Sequence, residues 1–189
     1  MELHPTAPDE ILIFQEADVP ASLRTQVTAI RNSGPSVQPH DPLLQPLTML
    51  LLIGGRVISA LDILSKEIEH GGERFAASGL SRVATHTDAR RRGHGRRLVS
   101  SAREAMVHRG ADIGIFTADT PLRPFYESCG WLVLPGCVLI GGTPRDPFPS
   151  DQFDKLTFAT FFTASAQRHA HTFERSRVAL YSGDIDRLW

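Results

Sequence analysis

Cysteine is scarce in this chain. Two thiols, Cys129 and Cys137, in 189 residues exclude a fold stapled by disulfides and suit a reducing compartment. Long apolar runs are missing as well. The longest, Leu47 to Ile53, is far below the ~20 residues that span a bilayer. The opening Met1-Glu2-Leu3-His4-Pro5 has neither a basic n-region nor an apolar h-region, so no signal peptide is expected. The expectation is a cytoplasmic protein with no membrane partner. An excess of one charge is also absent: 20 Lys and Arg stand against 21 Asp and Glu, for a net charge of −1. That excludes a globally basic nucleic-acid binder and an acidic tail. The 13 prolines and 15 glycines follow no period, which excludes collagen-like and coiled-coil chains. What is present is ordinary globular composition, 41 % hydrophobic and 22 % charged. The length suits one domain spanning residues 1–189 with an appended tail.

Three stretches, Pro5 to Pro8, Ser33 to Pro46 and Gly141 to Ser150, are proline-rich and read as loops. Ile11 to Phe14 reads as a short strand. Pro20 to Arg31 reads as a helix, opened by proline and closed by Asn32-Ser33-Gly34. Leu47–Ile53, Arg56–Glu69 and Glu73–His86 form an expected antiparallel meander, turning at Gly54-Gly55 and at His70-Gly71-Gly72. Alternation places Val57, Ser59, Leu61, Ile63 and Ser65 on one face of it. The period then changes. Gly95 to His108 carries Leu98, Val99, Ala102, Ala105 and Met106 on one helical stripe, and Gly110 stops it. Ile113–Thr117 is a strand, Pro121–Ser128 a short helix, Trp131–Leu134 a strand and Leu156–Thr163 the last clear strand. Ala164 to Trp189 is polar and carries no clear pattern. Strands followed by alternating helices and strands give an α+β, or mixed α/β, fold.

The stretch Thr85-His86-Thr87-Asp88-Ala89-Arg90-Arg91-Arg92-Gly93-His94-Gly95-Arg96-Arg97-Leu98 joins a strand to a helix through a loop rich in Arg and Gly. The first amides of a helix lack internal partners and carry its positive dipole end, which suits an anion such as a pyrophosphate. A Walker loop needs Gly-Lys-Ser/Thr, and a Rossmann loop needs a third glycine where Leu98 stands; neither is present. The spacing alone leaves open a solvated basic loop or a local nucleic-acid contact. Cys129 lacks an evident activating partner and reads as a small core residue. His169 and His171 lack a third ligand at convincing spacing, so no metal is expected.

Arg90-x-x-Gly93-x-Gly95 resembles the Gln/Arg-x-x-Gly-x-Gly/Ala motif of the GNAT superfamily of N-acetyltransferases. Val83-Ala84-Thr85 looks like the end of that family's fourth strand. Phe125-Tyr126-Glu127-Ser128-Cys129-Gly130-Trp131 looks like its Phe-Tyr-Glu-x-x-Gly-Phe segment, 31 residues from Gly95 to Tyr126. The resemblance covers residues 80 to 134. It implies a mostly antiparallel sheet of six to seven strands, with the fourth and fifth splayed around acetyl-CoA. It implies that the pyrophosphate lies on Arg90, Arg91, Arg92, Gly93, His94, Gly95 and Arg96. The pantetheine would lie along Val83, Ala84 and Thr85, with Thr117, Asp119 and Tyr126 also facing the cofactor. The acceptor amine would attack the thioester directly, with Tyr126 as general acid at the sulfur. The base stays open among His86, a backbone carbonyl and a water relay to a carboxylate, and His94 is expected to meet phosphate or solvent. A homodimer is a further possibility that the family carries.

A weaker resemblance concerns the acceptor. Arg97-Leu98-Val99-Ser100, the Gly130-Trp131 pair and the ending Gly183-Asp184-Ile185-Asp186-Arg187-Leu188-Trp189 are similar to segments of the aminoglycoside 2′-N-acetyltransferases. It implies a resistance enzyme whose acceptor site draws on Ser81, Arg82, Asp184, Asp186 and Trp189; the Ser33 to Pro46 loop, with Asp41 as its one acid, is expected to line the same pocket. The terminal carboxylate of Trp189 would join the catalytic groups, or Trp189 would only dock a C-terminal strand or helix. Ser81 and Arg82 stand where that subgroup carries an acid, which suits a weakly cationic acceptor with its own carboxylate, such as kasugamycin. Two readings compete: acetylation of another amine (a protein N-terminus, lysine, polyamine or amino acid), and a non-catalytic acetyl-CoA-binding module.

Overall fold

The computed structural model describes residues 9–31 and 38–180. The chain begins with β1 (Glu10–Gln15), α1 (Ala21–Ile30) and the meander β2 (Leu47–Ile53), β3 (Arg56–His70) and β4 (Glu73–Thr85). It continues with α2 (His94–His108), β5 (Ile113–Asp119), α3 (Arg123–Ser128) and β6 (Leu132–Val133). Beyond these come β7 (Val138–Gly142), β8 (Pro147–Pro149), β9 (Lys155–Phe161), α4 (Ala164–His169) and β10 (Arg177–Ala179). Seven strands form one sheet in the order β1-β2-β3-β4-β5-β9-β6, antiparallel except for β4 against β5. β10, β7 and β8 make a second, three-stranded sheet.

The pattern of β2 explains its place. All its residues from Leu47 to Leu52 are buried, so it serves both faces of the sheet. Leu50 and Leu52 pack with Val27 and Ile30 of α1. Met49 and Leu51 belong with Leu98, Val99 and Met106 of α2. The core continues through Phe116, Trp131 and Phe158, whose rings meet edge to face or stacked.

Two bulges break the alternation that the sequence suggests. The β2–β3 register shifts between Leu51 and Leu52, so Val57 falls in the α1 cluster and not with Leu61 and Ile63. The β3–β4 register shifts between Ala60 and Asp62, and Arg82 in β4 takes a positive φ of 49° there. A bulge adds one residue and turns the strand. β4 parts from β5 already after Ser78, ahead of this bulge, since the two pair only at Ala77–Ile113 and Ser78–Gly114.

The proline-rich stretch expected to be a loop contains the end of β7 and all of β8. Pro147 and Pro149 are tolerated because β8 is an edge strand. The unassigned tail supplies α4 and β10, and Thr163 caps α4 by accepting from the Ala166 amide.

Candidate active site

The opening between β4 and β5 is the centre of the site. Among the described residues, the β5-facing edge of β4 has no strand partner beyond Ser78, and unpaired strand edges accept an extended ligand. Val83, Ala84 and Thr85 lie on that stretch and line a cleft of about 840 Å³ with Arg90, Arg91, Gly93, His94, Gly95 and Arg96. Phe125 and Tyr126 of α3 close it.

The loop geometry follows from its residues. Thr85 ends β4 with its hydroxyl 2.9 Å from that of Ser59, and the Arg90 Nε–H donates to the Thr85 carbonyl at 3.2 Å. Gly93 precedes the first turn of α2 at φ +82°, a conformation that glycine adopts without strain. Arg97 is the first residue whose amide reaches back, to the Gly93 carbonyl. The amides of His94, Gly95 and Arg96 therefore have no helical acceptor. Gly95 has a different task. A Cβ there would lie 2.9 Å from Thr85 Oγ1 and 3.6 Å from the Phe125 ring, so only glycine lets α2 start so close to β4. Free amides, the helix dipole and exposed arginines make a cradle that fits the pyrophosphate of coenzyme A. Arg92 is exposed on the same loop, outside the cleft lining.

Tyr126 borders two spaces: this cleft, and a smaller one of about 320 Å³ lined by Ser81, Arg82, Thr117, Asp119 and Phe153. It is 5 % exposed and packs on Phe116, Phe125 and Phe158. Burial, followed by the nearby Cys129 and Asp119, pushes its pKa up to about 12. The phenol therefore stays protonated and can donate. Thr117 and Asp119 lie on the β5 side of the smaller space, away from the phosphate loop, and Asp119 is paired with Lys155 at 2.7 Å. The Cys129 thiol donates to the Phe125 carbonyl, and burial raises its pKa, so it lies as a protonated core group. His86 accepts from the Asp88 amide through Nδ1 and faces Arg56 through Nε2.

The acceptor residues named from sequence scatter. Ser81 and Arg82 line the smaller space. Asp41 accepts from the Leu43 amide and caps a short turn, outside the lining of the neighbouring cleft. Asp184, Asp186 and Trp189 lie outside the described residues.

Asp62 carries no local sequence signal. It is fully buried beneath α1, at the second bulge. Burial alone would raise its pKa. The hydrogen bond with His40, the charge and hydrogen bonding of Arg31 and the bond from Thr48 outweigh that and hold it below the usual value. His40 Nε2 lies 3.2 Å from one carboxylate oxygen; the Thr48 hydroxyl, at 2.8 Å, and Arg31 Nη2, at 3.0 Å, face the other. Arg82 binds Glu16 at 3.2 Å and approaches Asp62 to 3.9 Å. Donor atoms of Glu16, His40 and Asp62 lie within 4.8 Å of one another, a spacing a metal could use. The two guanidiniums already supply positive charge there and disfavour a cation.

A family model described as an acetyltransferase (GNAT) domain matches residues 11–134. No curated protein matches the chain by sequence. Among solved structures, the fold is similar to that of Escherichia coli ElaA, at 16% identity and a TM-score of 0.58 over 80% of this chain and 99% of that one. An acyl-CoA N-acyltransferase from Pseudomonas aeruginosa aligns at 15% identity and a TM-score of 0.54, over 80% of this chain and 99% of that one. A Bacillus subtilis acetyltransferase solved in complex with CoA aligns at 13% identity and 0.56, over 82% and 100%. At these identities the likeness concerns the fold. No described helix is long and apolar enough to cross a membrane. The family match covers the phosphate loop, the splayed strands and Tyr126, and the chain belongs to the GNAT family of acetyl-CoA-dependent acetyltransferases.

Proposed function

We propose that the chain acetylates a primary amine of a small molecule by direct attack, with Tyr126 as the donor to the leaving sulfur. The observation that carries this is the position of Tyr126, buried and protonated, where the phosphate-loop cleft meets the β4/β5 opening. Arg90 to Arg96 hold the pyrophosphate, and Val83, Ala84 and Thr85 align the pantetheine. Acetyl-CoA supplies an acetyl group activated as a thioester. The new N–C bond forms as the C–S bond breaks, and the amine's proton leaves to water or a nearby acceptor. A phenol at about 12 is a far weaker acid than a thiol, near 8.5. Tyr126 therefore stabilises the departing thiolate by a hydrogen bond more than by completed proton transfer.

The finer reading is the 2′-amine of an aminoglycoside of low positive charge that bears its own carboxylate. Ser81 and Arg82 beside the opening support it, since carboxylates that would attract a polycation are lacking at those two positions. Amine-dependent thiol release from acetyl-CoA, with the acetylated amine identified by mass, tests the activity. Gly93→Asp brings a side chain and a negative charge to the phosphate cradle. Unchanged acetyl-CoA affinity in that variant, measured by calorimetry, refutes the assignment of the loop.

A further inference from the structure

A cleft of about 710 Å³ runs along α1 from Arg24 to Arg31. Its charge is one-sided. Four guanidiniums line it, those of Arg24, Arg31, Arg82 and Arg109, against the single carboxylate of Glu16, with Asp62 buried behind. Both carboxylates are already engaged. Glu16 accepts from Arg82 through Oε1 and from the His40 amide through Oε2. Asp62 is held by His40, Thr48 and Arg31. An ammonium group entering here meets no free acid among the described residues.

An anion meets the opposite situation. The Arg31 side chain is 11% exposed, and its Nε–H is buried with no acceptor among the described residues. An unsatisfied donor on a buried cation is costly, and an oxyanion relieves it. The guanidinium fork also matches the paired oxygens of a carboxylate or phosphate. Arg31 lines both this cleft and the phosphate-loop cleft, while Arg82 lines this cleft and the β4/β5 opening. A molecule anchored here is therefore next to the place where the acetyl group is handed over.

We infer that the α1 cleft is an anion subsite for the acceptor, and that the acceptor is an amine whose other end carries a carboxylate or phosphate. This rests on the acetyltransferase reading and names its substrate class.

The test is thiol release from acetyl-CoA with matched amines. 4-Aminobutanoate, 4-aminobutanamide and butylamine probe the carboxylate. Phosphoethanolamine and ethanolamine probe the phosphate, and spermidine represents a polycation. One anion-bearing member should exceed its neutral partner in kcat/KM by about 10- to 100-fold, the scale of a hydrogen bond to a charged group. Which pair shows the preference tells carboxylate from phosphate. The ratio should collapse toward one in Arg31→Gln and return in part in Arg31→Lys. The wild-type ratios decide the matter even if Arg31→Gln does not fold.

Preference for spermidine or for the neutral partners overturns the inference, as does a preference that survives Arg31→Gln. So does failure of every anionic member to bind the CoA-saturated protein by calorimetry. Absence of acetyl-CoA binding refutes instead the acetyltransferase reading beneath it. Acetyl-CoA binding with equal use of neutral amines refutes the anion subsite alone.

Discussion

Replacing Tyr126 by phenylalanine removes one oxygen and leaves the ring among Phe116, Phe125 and Phe158, at centroid distances of 5.0, 4.9 and 5.2 Å. No described residue holds the hydroxyl by a hydrogen bond, so the fold should lose less than about 1 kcal/mol. Catalysis should lose more. Moving a proton from a phenol at about 12 to a thiolate is uphill by roughly 5 kcal/mol. The hydroxyl's contribution is then a hydrogen bond to a charged sulfur, roughly 1.5–3 kcal/mol, or about 10- to 150-fold in kcat. Thiol release under saturating acetyl-CoA measures this, and calorimetry should find cofactor affinity unchanged. The wild-type rate should show no alkaline limb from this phenol below about pH 11. Stability carries the same signature. The folded pKa is raised from 10.0, so the wild type loses stability relative to Tyr126→Phe as the pH climbs from about 10 towards 12, and the difference between the two is independent of pH below that range. Wild-type turnover in the variant, with chemistry limiting both, refutes a role at the sulfur. An alkaline limb below pH 10 that vanishes in the variant refutes the hydrogen-bond account and favours full proton transfer.

Three further substitutions probe the frame. In Gly95→Ala the new methyl presses on Thr85 Oγ1 at 2.9 Å, and that hydroxyl is tied to Ser59; thermal unfolding should show a loss of ~1–3 kcal/mol, with weaker acetyl-CoA binding by calorimetry. Asp62→Ala strands Arg31 and should cost roughly 3–5 kcal/mol in denaturant titrations at neutral pH. Because the Asp62 pKa is lowered, that difference should be full above the ordinary carboxylate range and shrink as the pH falls through it. Lys66 has a buried Nζ with no hydrogen-bond partner among the described residues, and burial pushes its pKa down to about 8. Lys66→Met should therefore raise the Tm at pH 7, and its advantage should fade as the pH rises from about 8 towards 10.5.

The phosphate loop and the meander were legible because local chemistry specifies them. Gly93 and Gly95 punctuate a switch from a period of two to a helical stripe, and glycine pairs mark the turns. Asp62 was not legible. It stands between Leu61 and Ile63 in an apolar strand, and its partners Arg31, His40, Thr48 and Arg82 are 31, 22, 14 and 20 positions away. Nothing local announces a cluster assembled by register and by the end of α1. Alternation alone places Val57 on the Leu61 face, and a bulge changes the parity of a strand without any marker in its residues. The small sheet escaped notice because prolines that argue against a central strand are compatible with an edge. Asp41 is the one acid of a proline-rich loop, but an aspartate two residues before an available amide is also a common turn cap.

The seam between β4 and β5 has a mechanical consequence. Two residue pairs join them, Ala77–Ile113 and Ser78–Gly114. At one of these, Gly114, the Trp131 indole lies where a Cβ would come within 2.6 Å of it. The large sheet is thus two leaves sharing a short spine, with an aromatic bolt seated in the spine. A ligand that bonds to both leaves adds rungs that the polypeptide omits, so loading and rigidity rise together. At a hundredfold excess over Kd, such a ligand contributes about 2.7 kcal/mol to the unfolding free energy. The empty protein should breathe along the spine, and its melting curve becomes a gauge of cofactor occupancy.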